Sequence, residues 1–422
     1  MASVPFSSPL AAELADGLVD RFLRYVQVDT QSQEGATTTP STAKQLDLSR
    51  MLEAELREIG LEDVELSEHG YVYATLPGTP GAPVIGLVAH VDTSPESPGA
   101  NVSPIVHDSY AGEPIVLPGD PSQVLDPAQE PALAARLGHD IITSDGTTLL
   151  GADDKAGVAE IMTAVAYLRE AAPEPRATVR VGFTVDEEVG RGADHFDIEG
   201  FGAIAAYTLD GSGSGEIETE SFSARQLKVI IGGNGEHPGT AKGKLVNAVK
   251  LAADFVAALP RDGLSPETTE HREGFVHPTR IAGGVEETTV TLIVRDHDDE
   301  LLEQHTALVH RLAAEIEERE PRATVAIETW DQYRNMRRGI DPRPEIVTNA
   351  EEAIRRSGVQ PEHAIIRGGT DGSRLTEMGL PTPNLFTGGQ KYHSRREWAS
   401  VQDMATAAAM VVELVKVWGE GD

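Results

Sequence analysis

Five short segments of this chain carry residues able to do chemistry. The apolar run Val84 to Ala89 ends on His90-Val91-Asp92, and Gly151-Ala152 leads into Asp153-Asp154-Lys155. The run 178–185 ends on Asp186-Glu187-Glu188, the run 203–209 on Asp210, and the segment after 384–387 carries Lys391-Tyr392-His393. Each alone says little. His-x-Asp recurs at His195-Phe196-Asp197 and His297-Asp298-Asp299 after polar sequence, where a solvated surface is the plainer reading. Paired acids before a helix also complement its N-terminal dipole. Taken together the segments say more. Carboxylates crowded into one cleft repel and raise each other's pKa, and a divalent cation removes that penalty. His and carboxylate ligands without sulfur suit zinc, cobalt or manganese. Five or six such ligands exceed one tetrahedral zinc and fit two metals sharing a carboxylate. At i, i+2, His90 and Asp92 leave a strand on one side, so Asp92 can fix the imidazole tautomer. In the Glu187-Glu188 pair, one carboxylate can bind metal while the other takes a proton from the attacking water.

The elements around these segments predict how they are held. Amphipathic helices are expected at 11–27 and 43–59, with Gly60 as the stop of the second. The run 84–89 suits a strand buried on both faces of a largely parallel sheet. Residues 94–147, rich in Pro, Gly, Ser and Asp, read as an excursion above that sheet, with strand-like pieces at 114–118 and 141–143. A helix at 155–171 and strands at 178–185 and 203–209 complete an α/β layer pattern. Ligands in such sheets gather at the carboxyl ends of strands, where the ionisable segments lie.

Near residue 222 the pattern changes. Strand 226–231, helix 245–259, strands 275–282 and 288–294, helix 300–318 and strand 323–329 follow in the order β-α-β-β-α-β, a ferredoxin-like unit. It needs no residues from outside 222–331 and reads as an insertion. The α/β pattern then resumes with a helix at 344–357, a strand at 363–366, a short helix at 373–378, a strand near 384–387 and a helix at 400–418. The expectation is therefore a catalytic domain from 1–221 and 332–422 and an inserted α+β domain, 222–331. The catalytic domain is a largely parallel mixed sheet with flanking helices. The insertion lies between ligand-bearing segments, so it could close as a lid and exclude water, with hinges near Phe222 and Asp331.

Composition bounds the partners. Among 422 residues, Lys and Arg number 35 and Asp and Glu 68, so the net charge is 35 − 68 = −33. Such a surface repels nucleic acid and anionic membranes. With no cysteine, disulfides, thiolate metal sites and thiol chemistry are excluded. No run of 18 apolar residues suggests a membrane span, and the N-terminal residues lack a basic and apolar leader, so a cytoplasmic protein is expected. There is no His-Glu-x-x-His, no Walker A loop and no Gly-x-Gly-x-x-Gly after a strand. Ser41-Thr42-Ala43-Lys44 matches Ser-x-x-Lys, but four residues in a polar segment match by chance.

The chain resembles the M20 metallopeptidases, and within them the aminotripeptidase branch. The resemblance runs through Ala89-His-Val-Asp-Thr93, Leu150-Gly-Ala-Asp-Asp-Lys-Ala-Gly157, Asp186-Glu-Glu-Val-Gly190 and Tyr207-Thr-Leu-Asp-Gly211. It continues in His237-Pro-Gly-Thr-Ala-Lys-Gly243, Glu270-His-Arg-Glu-Gly274, Ile293-Val-Arg-Asp296, Arg367-Gly-Gly-Thr-Asp-Gly372, Phe386-Thr-Gly-Gly389 and Tyr392-His393. These segments span nearly the whole chain in one order. The first four are shared widely in the family, and those of the insertion and C-terminal part point to the branch.

The resemblance implies a zinc-peptidase-like catalytic domain with two Zn2+ per subunit, for which Co2+ or Mn2+ could substitute. His90, Asp153 and Asp210 would hold one metal, and Asp153, Glu188 and His393 the other. Asp92 would orient His90, and Glu187 would be the general base and later the proton donor. His237 would polarise the scissile carbonyl, and Arg295 and Arg367 are candidates for the peptide's C-terminal carboxylate. Small peptides would be the substrates, tripeptides first. Two residues depart from the family pattern: Val185 stands where proline is expected, and Arg272 where an uncharged residue is. If the 270–274 loop lines the substrate pocket, specificity could differ. Another amide hydrolase on the same scaffold, such as a dipeptidase or an N-acyl amino acid deacylase, and a metal-binding scaffold without catalysis are the competing readings. The free sheet edge of the insertion leaves a homodimer open.

Overall fold

The computed structural model describes residues 5–421. The chain divides into two compact units: residues 1–219, 338–364 and 370–422 form the first, and 220–337 with 365–369 the second.

The first unit is built on an eight-stranded mixed sheet. Its order is Glu62–Leu66, Val72–Leu76, Thr178–Thr184, Val84–His90, Ala205–Gly211, Asn384–Phe386, Glu216–Ser221 and Glu362–Ile366. The four strands from 178–184 to 384–386 are parallel to their neighbours in that run. Antiparallel strands extend it on both sides. Strand 84–90 lies between two parallel partners and is buried almost throughout, which is why it reads as an unbroken apolar run.

Helices Pro9–Val26, Ala152–Ala171 and Val401–Glu420 pack against one another, and Pro344–Arg356 packs on the last of them. The helix 401–420 is buried on nearly every side, from Val401 to Trp418, and is accordingly apolar all round. The strands at 62–66, 72–76 and 216–221 have no counterpart in the sequence reading. Two of them, Glu-Asp-Val-Glu-Leu and Glu-Ile-Glu-Thr-Glu-Ser, carry acids on their less buried side, so the apolar run that marks a central strand is missing.

The excursion between 94 and 147 holds strands Ile105–His107, Ile115–Val116, Val124–Leu125 and Ile141–Thr143. With Gly389–Gln390 and Trp398–Ser400, two of these make a small sheet in the order 389–390, 398–400, 141–143, 105–107. It has its own apolar cluster around Trp398, Leu117, Leu125, Leu133 and Ile141. That pairing anchors the 389–400 segment, which carries His393, against the rest of the unit.

The second unit has the element order Ser223–Gly232, Ala248–Ala258, Phe275–Gly283, Glu287–Asp296, Asp299–Arg319 and Thr324–Tyr333. Its antiparallel sheet is ordered 275–283, 287–296, 223–232, 324–333. This is the ferredoxin-like arrangement. Alternating side chains of the two central strands meet Phe255, Leu302, Val309 and Ile316 of the helices. Asn247 and Asp298 cap the two helices with their side-chain oxygens. Among the described residues no helix is long and apolar enough to cross a membrane.

Candidate metal centre

Three adjacent parallel strands end at one place in the first unit. Strand 84–90 delivers His90, strand 205–211 delivers Asp210, and strand 178–184 runs into the turn with Glu187 and Glu188. The head of helix 152–171 adds Asp153 and Asp154, neither in helical conformation, after Gly151 at φ 87°. His393 arrives from the 389–398 loop, whose backbone carbonyl at 393 accepts from Ser97 Oγ at 2.8 Å.

Asp153 lies between the two histidines. Its Oδ1 is 3.0 Å from His90 Nε2 and its Oδ2 3.1 Å from His393 Nε2. Asp210 Oδ1 is 3.6 Å from His90 Nε2, and Glu188 Oε2 is 2.8 Å from His393 Nε2. Glu187 Oε2 stands at 4.0 Å from His90 Nε2. Ligand atoms of His90, Asp153 and Glu188 lie within 4.8 Å of one another, as do those of His90, Asp154 and Asp210.

His90 Nδ1 is 3.0 Å from the backbone carbonyl of Asp92, which can only accept. Nδ1 therefore carries a ring proton, and Nε2 faces Asp153 and Asp210. The Asp92 carboxylate is farther from Nδ1, at 3.5 Å. It accepts instead from the backbone N–H of Glu187 at 3.0 Å and of Glu188 at 3.2 Å. So Asp92 meets His90 mainly through its main chain, and its side chain holds the acidic turn.

Crowded, partly desolvated carboxylates dominate the electrostatics of the site. Burial pushes the Glu187 carboxyl well above its usual range, and pushes Glu188 to about 8 and Asp210 to about 6, with neighbouring carboxylates adding to the rise. Against its own burial, Asp153 is held low by the bonds from His393 and His90. Despite burial, Asp153 and Glu188 raise His393 to about 11. Two carboxylate oxygens, Glu188 Oε1 and Asp154 Oδ1, are buried without a hydrogen-bond partner. Orphaned carboxylate oxygens beside two imidazoles, with no sulfur, are a donor set that fits divalent cations of the zinc class.

Residues beyond the candidate ligands build this site, and the sequence did not single out Glu397 or Asn384. Glu397 is buried and accepts from the backbone N–H of Leu150 and Gly151, both at 2.8 Å, and of Asp153 at 3.0 Å. It shapes the turn that carries Asp153. Asn384 accepts the Asp210 backbone N–H at 3.0 Å and donates to Glu218 at 2.6 Å. Asp154, beside Asp153 in the acidic pair, accepts the His90 backbone N–H at 3.1 Å. Lys155 is buried, donates to the Val28 carbonyl at 2.7 Å, and is pushed down to about 7 by burial. The roles of Glu397 and Asn384 lie in backbone N–H groups, which a sequence does not display.

His237, Arg295 and Arg367 belong to the second unit. His237 is exposed, and its Nδ1 accepts from the Gly239 N–H at 3.1 Å, which leaves the ring proton on Nε2. Arg367 donates to the carbonyls of His271, Glu273 and Thr269 and to Thr269 Oγ1, at 2.7 to 3.2 Å. It also lies over the rings of Phe222 and Phe275. Arg295 makes one long bond, 3.4 Å to the Arg367 carbonyl, and its Nε is buried without a partner. Arg272, the charged departure in the 270–274 loop, is bound in two-pronged fashion to Glu220 at 2.8 and 2.5 Å.

The model of peptidase family M20/M25/M40 matches residues 145–417. A peptidase T of Geobacillus sp. (strain WCH70) is 48% identical over 403 residues, which cover 95% of this chain and 98% of that protein. The crystal structure of aminopeptidase PepT from Bacillus cereus ATCC 10987 is similar with a TM-score of 0.74 at 26% identity, over 96% of this chain and 98% of that one. A tripeptidase structure from Staphylococcus aureus subsp. aureus Mu50 has a TM-score of 0.75 at 25% identity, over 96% of this chain and 99% of that one.

Proposed function

The chain belongs to peptidase family M20/M25/M40, in its peptidase T group, and from that membership we propose that it is a metal-dependent aminopeptidase that releases the N-terminal residue of tripeptides. The observation that carries the reading is Asp153, with one carboxylate oxygen on each of two histidines. A carboxylate so placed suits a bridge between two cations, with His90 and Asp210 completing one site and Glu188 and His393 the other. Zinc fits the donor set, and cobalt and manganese share its ligand preferences. Two bound cations would polarise the scissile carbonyl and make a water acidic enough to attack it.

The remaining work falls to the chain. Glu187 is half-buried beside the site, and its loss of solvent keeps its proton affinity high. It takes the proton of the attacking water and returns it to the departing amine. Asp92 fixes where that carboxylate sits, through the Glu187 and Glu188 N–H groups. His237, with its proton on Nε2, is a donor suited to the oxyanion of the attacked carbonyl. Arg295, with unused donors, suits the peptide's C-terminal carboxylate. Arg367 supports the 269–273 loop. The first unit then carries the metal ligands and the base, and the second carries His237 and Arg295.

Product mass spectrometry tests this. Zinc-loaded protein is incubated with free di-, tri- and tetrapeptides, amino-blocked tripeptides and N-acyl amino acids, beside a chelated sample. Release of the N-terminal residue from free tripeptides only, abolished by chelation, is expected. Cleavage of blocked or acylated substrates moves the function to amide hydrolysis of another kind. No cleavage with metal bound leaves a metal-binding scaffold.

A further inference from the structure

We propose that Ser41 and Gln45 are positioning residues that clamp Asp186 and so fix the turn carrying Glu187 and Glu188. The proposal rests on the assignment of those two glutamates above. Asp186 is buried and sits at φ 63°, a left-handed conformation that a non-glycine residue adopts only when its surroundings hold it there. Its carboxylate accepts the Ser41 backbone N–H at 2.7 Å, the Ser41 hydroxyl, and Gln45 Nε2 at 2.6 Å. Gln45 Oε1 accepts the Asp186 backbone N–H at 3.1 Å, so one amide group grips both ends of the residue. Arg191, at the far end of the turn, donates to the carbonyls of Ala36 and Thr38 and to Thr39 Oγ1 at 2.6 to 3.1 Å. The segment 36–45 is thereby fastened to the turn at two points.

The clamp has a second consequence. Asp186, Glu187 and Glu188 are three consecutive acids, and a cation site draws any carboxylate within reach. The first of the three has its oxygens occupied by Ser41 and Gln45, while Asp92 holds the N–H groups of the other two. The turn is tied on both sides, and only Glu187 and Glu188 are left to face His90 and His393. A glycine could supply the left-handed turn without burying a charge, so a buried aspartate with this many donors is explained by orientation rather than by the turn alone. The Ser41-x-x-Lys44 match is resolved too: Ser41 bonds Asp186, and Lys44 pairs with Asp29 at 2.8 Å, so no serine nucleophile is set up.

The test compares Ser41→Ala, Ser41→Thr and Gln45→Leu in the full-length, zinc-loaded protein. Ser49→Ala serves as the structural control: the buried Ser49 hydroxyl, one helical turn after Gln45, donates to the carbonyls of Gly70 at 3.0 Å and Gln45 at 3.4 Å and touches no residue of the 186–191 turn. Tripeptide kcat and KM, zinc affinity by competition with a chelating dye, and Tm are read for each. Ser41→Ala and Gln45→Leu are expected to lower kcat at least about tenfold with KM little changed. They should also weaken zinc binding by about 10- to 100-fold. Ser41→Thr, which keeps the hydroxyl, restores both, and Ser49→Ala lowers Tm alone. If Ser41→Ala and Gln45→Leu behave as Ser49→Ala does, the clamp is only structural and the proposal fails. Should Gln45→Leu not fold, Ser41→Ala, which keeps the backbone donor, decides. If the unaltered protein binds zinc but cleaves no tripeptide, the functional reading falls by itself, and the zinc affinities still judge the clamp.

Discussion

The acids of the first unit and the bases of the second are partnered in opposite ways. Around Asp153, carboxylates crowd together with buried oxygens left over at Glu188 and Asp154, and their proton affinities rise. In the second unit several arginines are matched within the unit. Arg225 pairs with Glu303 and Asp331, Arg272 with Glu220, and Arg367 with backbone carbonyls. Arg295 is held less fully: its one hydrogen bond is 3.4 Å long, its guanidinium lies by the Tyr333 ring, and its buried Nε has no hydrogen-bond partner. A buried polar group without a partner costs folding free energy, of the order of about 1–3 kcal/mol. Where such groups persist, a ligand is the economical explanation. The comparison divides Arg295 from Arg367 by their hydrogen bonding, although both stand in family-like motifs.

The largest effect that can sharpen this contrast is at the acids. Asp153→Asn should lower the zinc bound per chain, measured by plasma emission, and abolish turnover. Glu187→Gln should keep the zinc and still lose about 10²- to 10⁴-fold in kcat. Near-full turnover of Glu187→Gln would falsify its assignment as the base.

Next come the two arginines. Arg295→Ala should raise KM for free tripeptides by about 10- to 100-fold, the worth of a charge-assisted hydrogen bond, and leave C-terminal amides unaffected. Arg367→Ala should lower Tm, because three carbonyls of one loop lose their donor. The reverse pattern would undo the distinction drawn between them.

A smaller effect is expected at Glu218. Burial, helped by the charges of Glu216 and Asp210, raises its carboxyl from 4.5 to about 8 against the Asn384 bond. Between these values the folded chain holds a proton that the unfolded chain has lost, so this group's contribution to stability is complete at low pH and falls as pH rises through the window. Glu218→Gln should flatten that slope. Urea midpoints at about pH 5 and about pH 8 should then show the variant gaining on the unaltered protein at the higher pH. An unchanged slope would mean that Glu218 is ionised in the folded chain.

The smallest is at Arg272, more than half exposed while its partner Glu220 is buried. Arg272→Gln should cost about 1 kcal/mol or less in stability and leave the tripeptide preference unchanged. A changed preference would show that this loop lines the substrate site, as its departure from the family pattern first suggested.

Much of the first unit was legible because buried parallel strands write themselves as apolar runs. Runs 84–89, 178–185 and 203–209 end where the structure turns the chain toward His90, Glu187 and Asp210. The β-α-β-β-α-β order of the second unit was equally plain. The strands 62–66 and 216–221 were not, since alternating acids interrupt them and leave no apolar run. The Asp92 side chain, expected on the His90 ring, went mainly to two backbone N–H groups, which are invisible in a string of side chains.

By itself, then, the sequence determined the chemistry on offer: histidines and carboxylates without sulfur, at strand ends, in an order shared with a known family. Residue type and periodicity suffice for that, because ligand preference and strand burial are local properties. Only the tertiary structure decided which groups are spent and which are free. Glu397, Asn384, Ser41 and Gln45 act across long stretches of chain on main-chain atoms or on a buried aspartate. Arg295 and Arg367 look alike as letters, and differ because hydrogen-bond satisfaction depends on what folding places within about 3 Å.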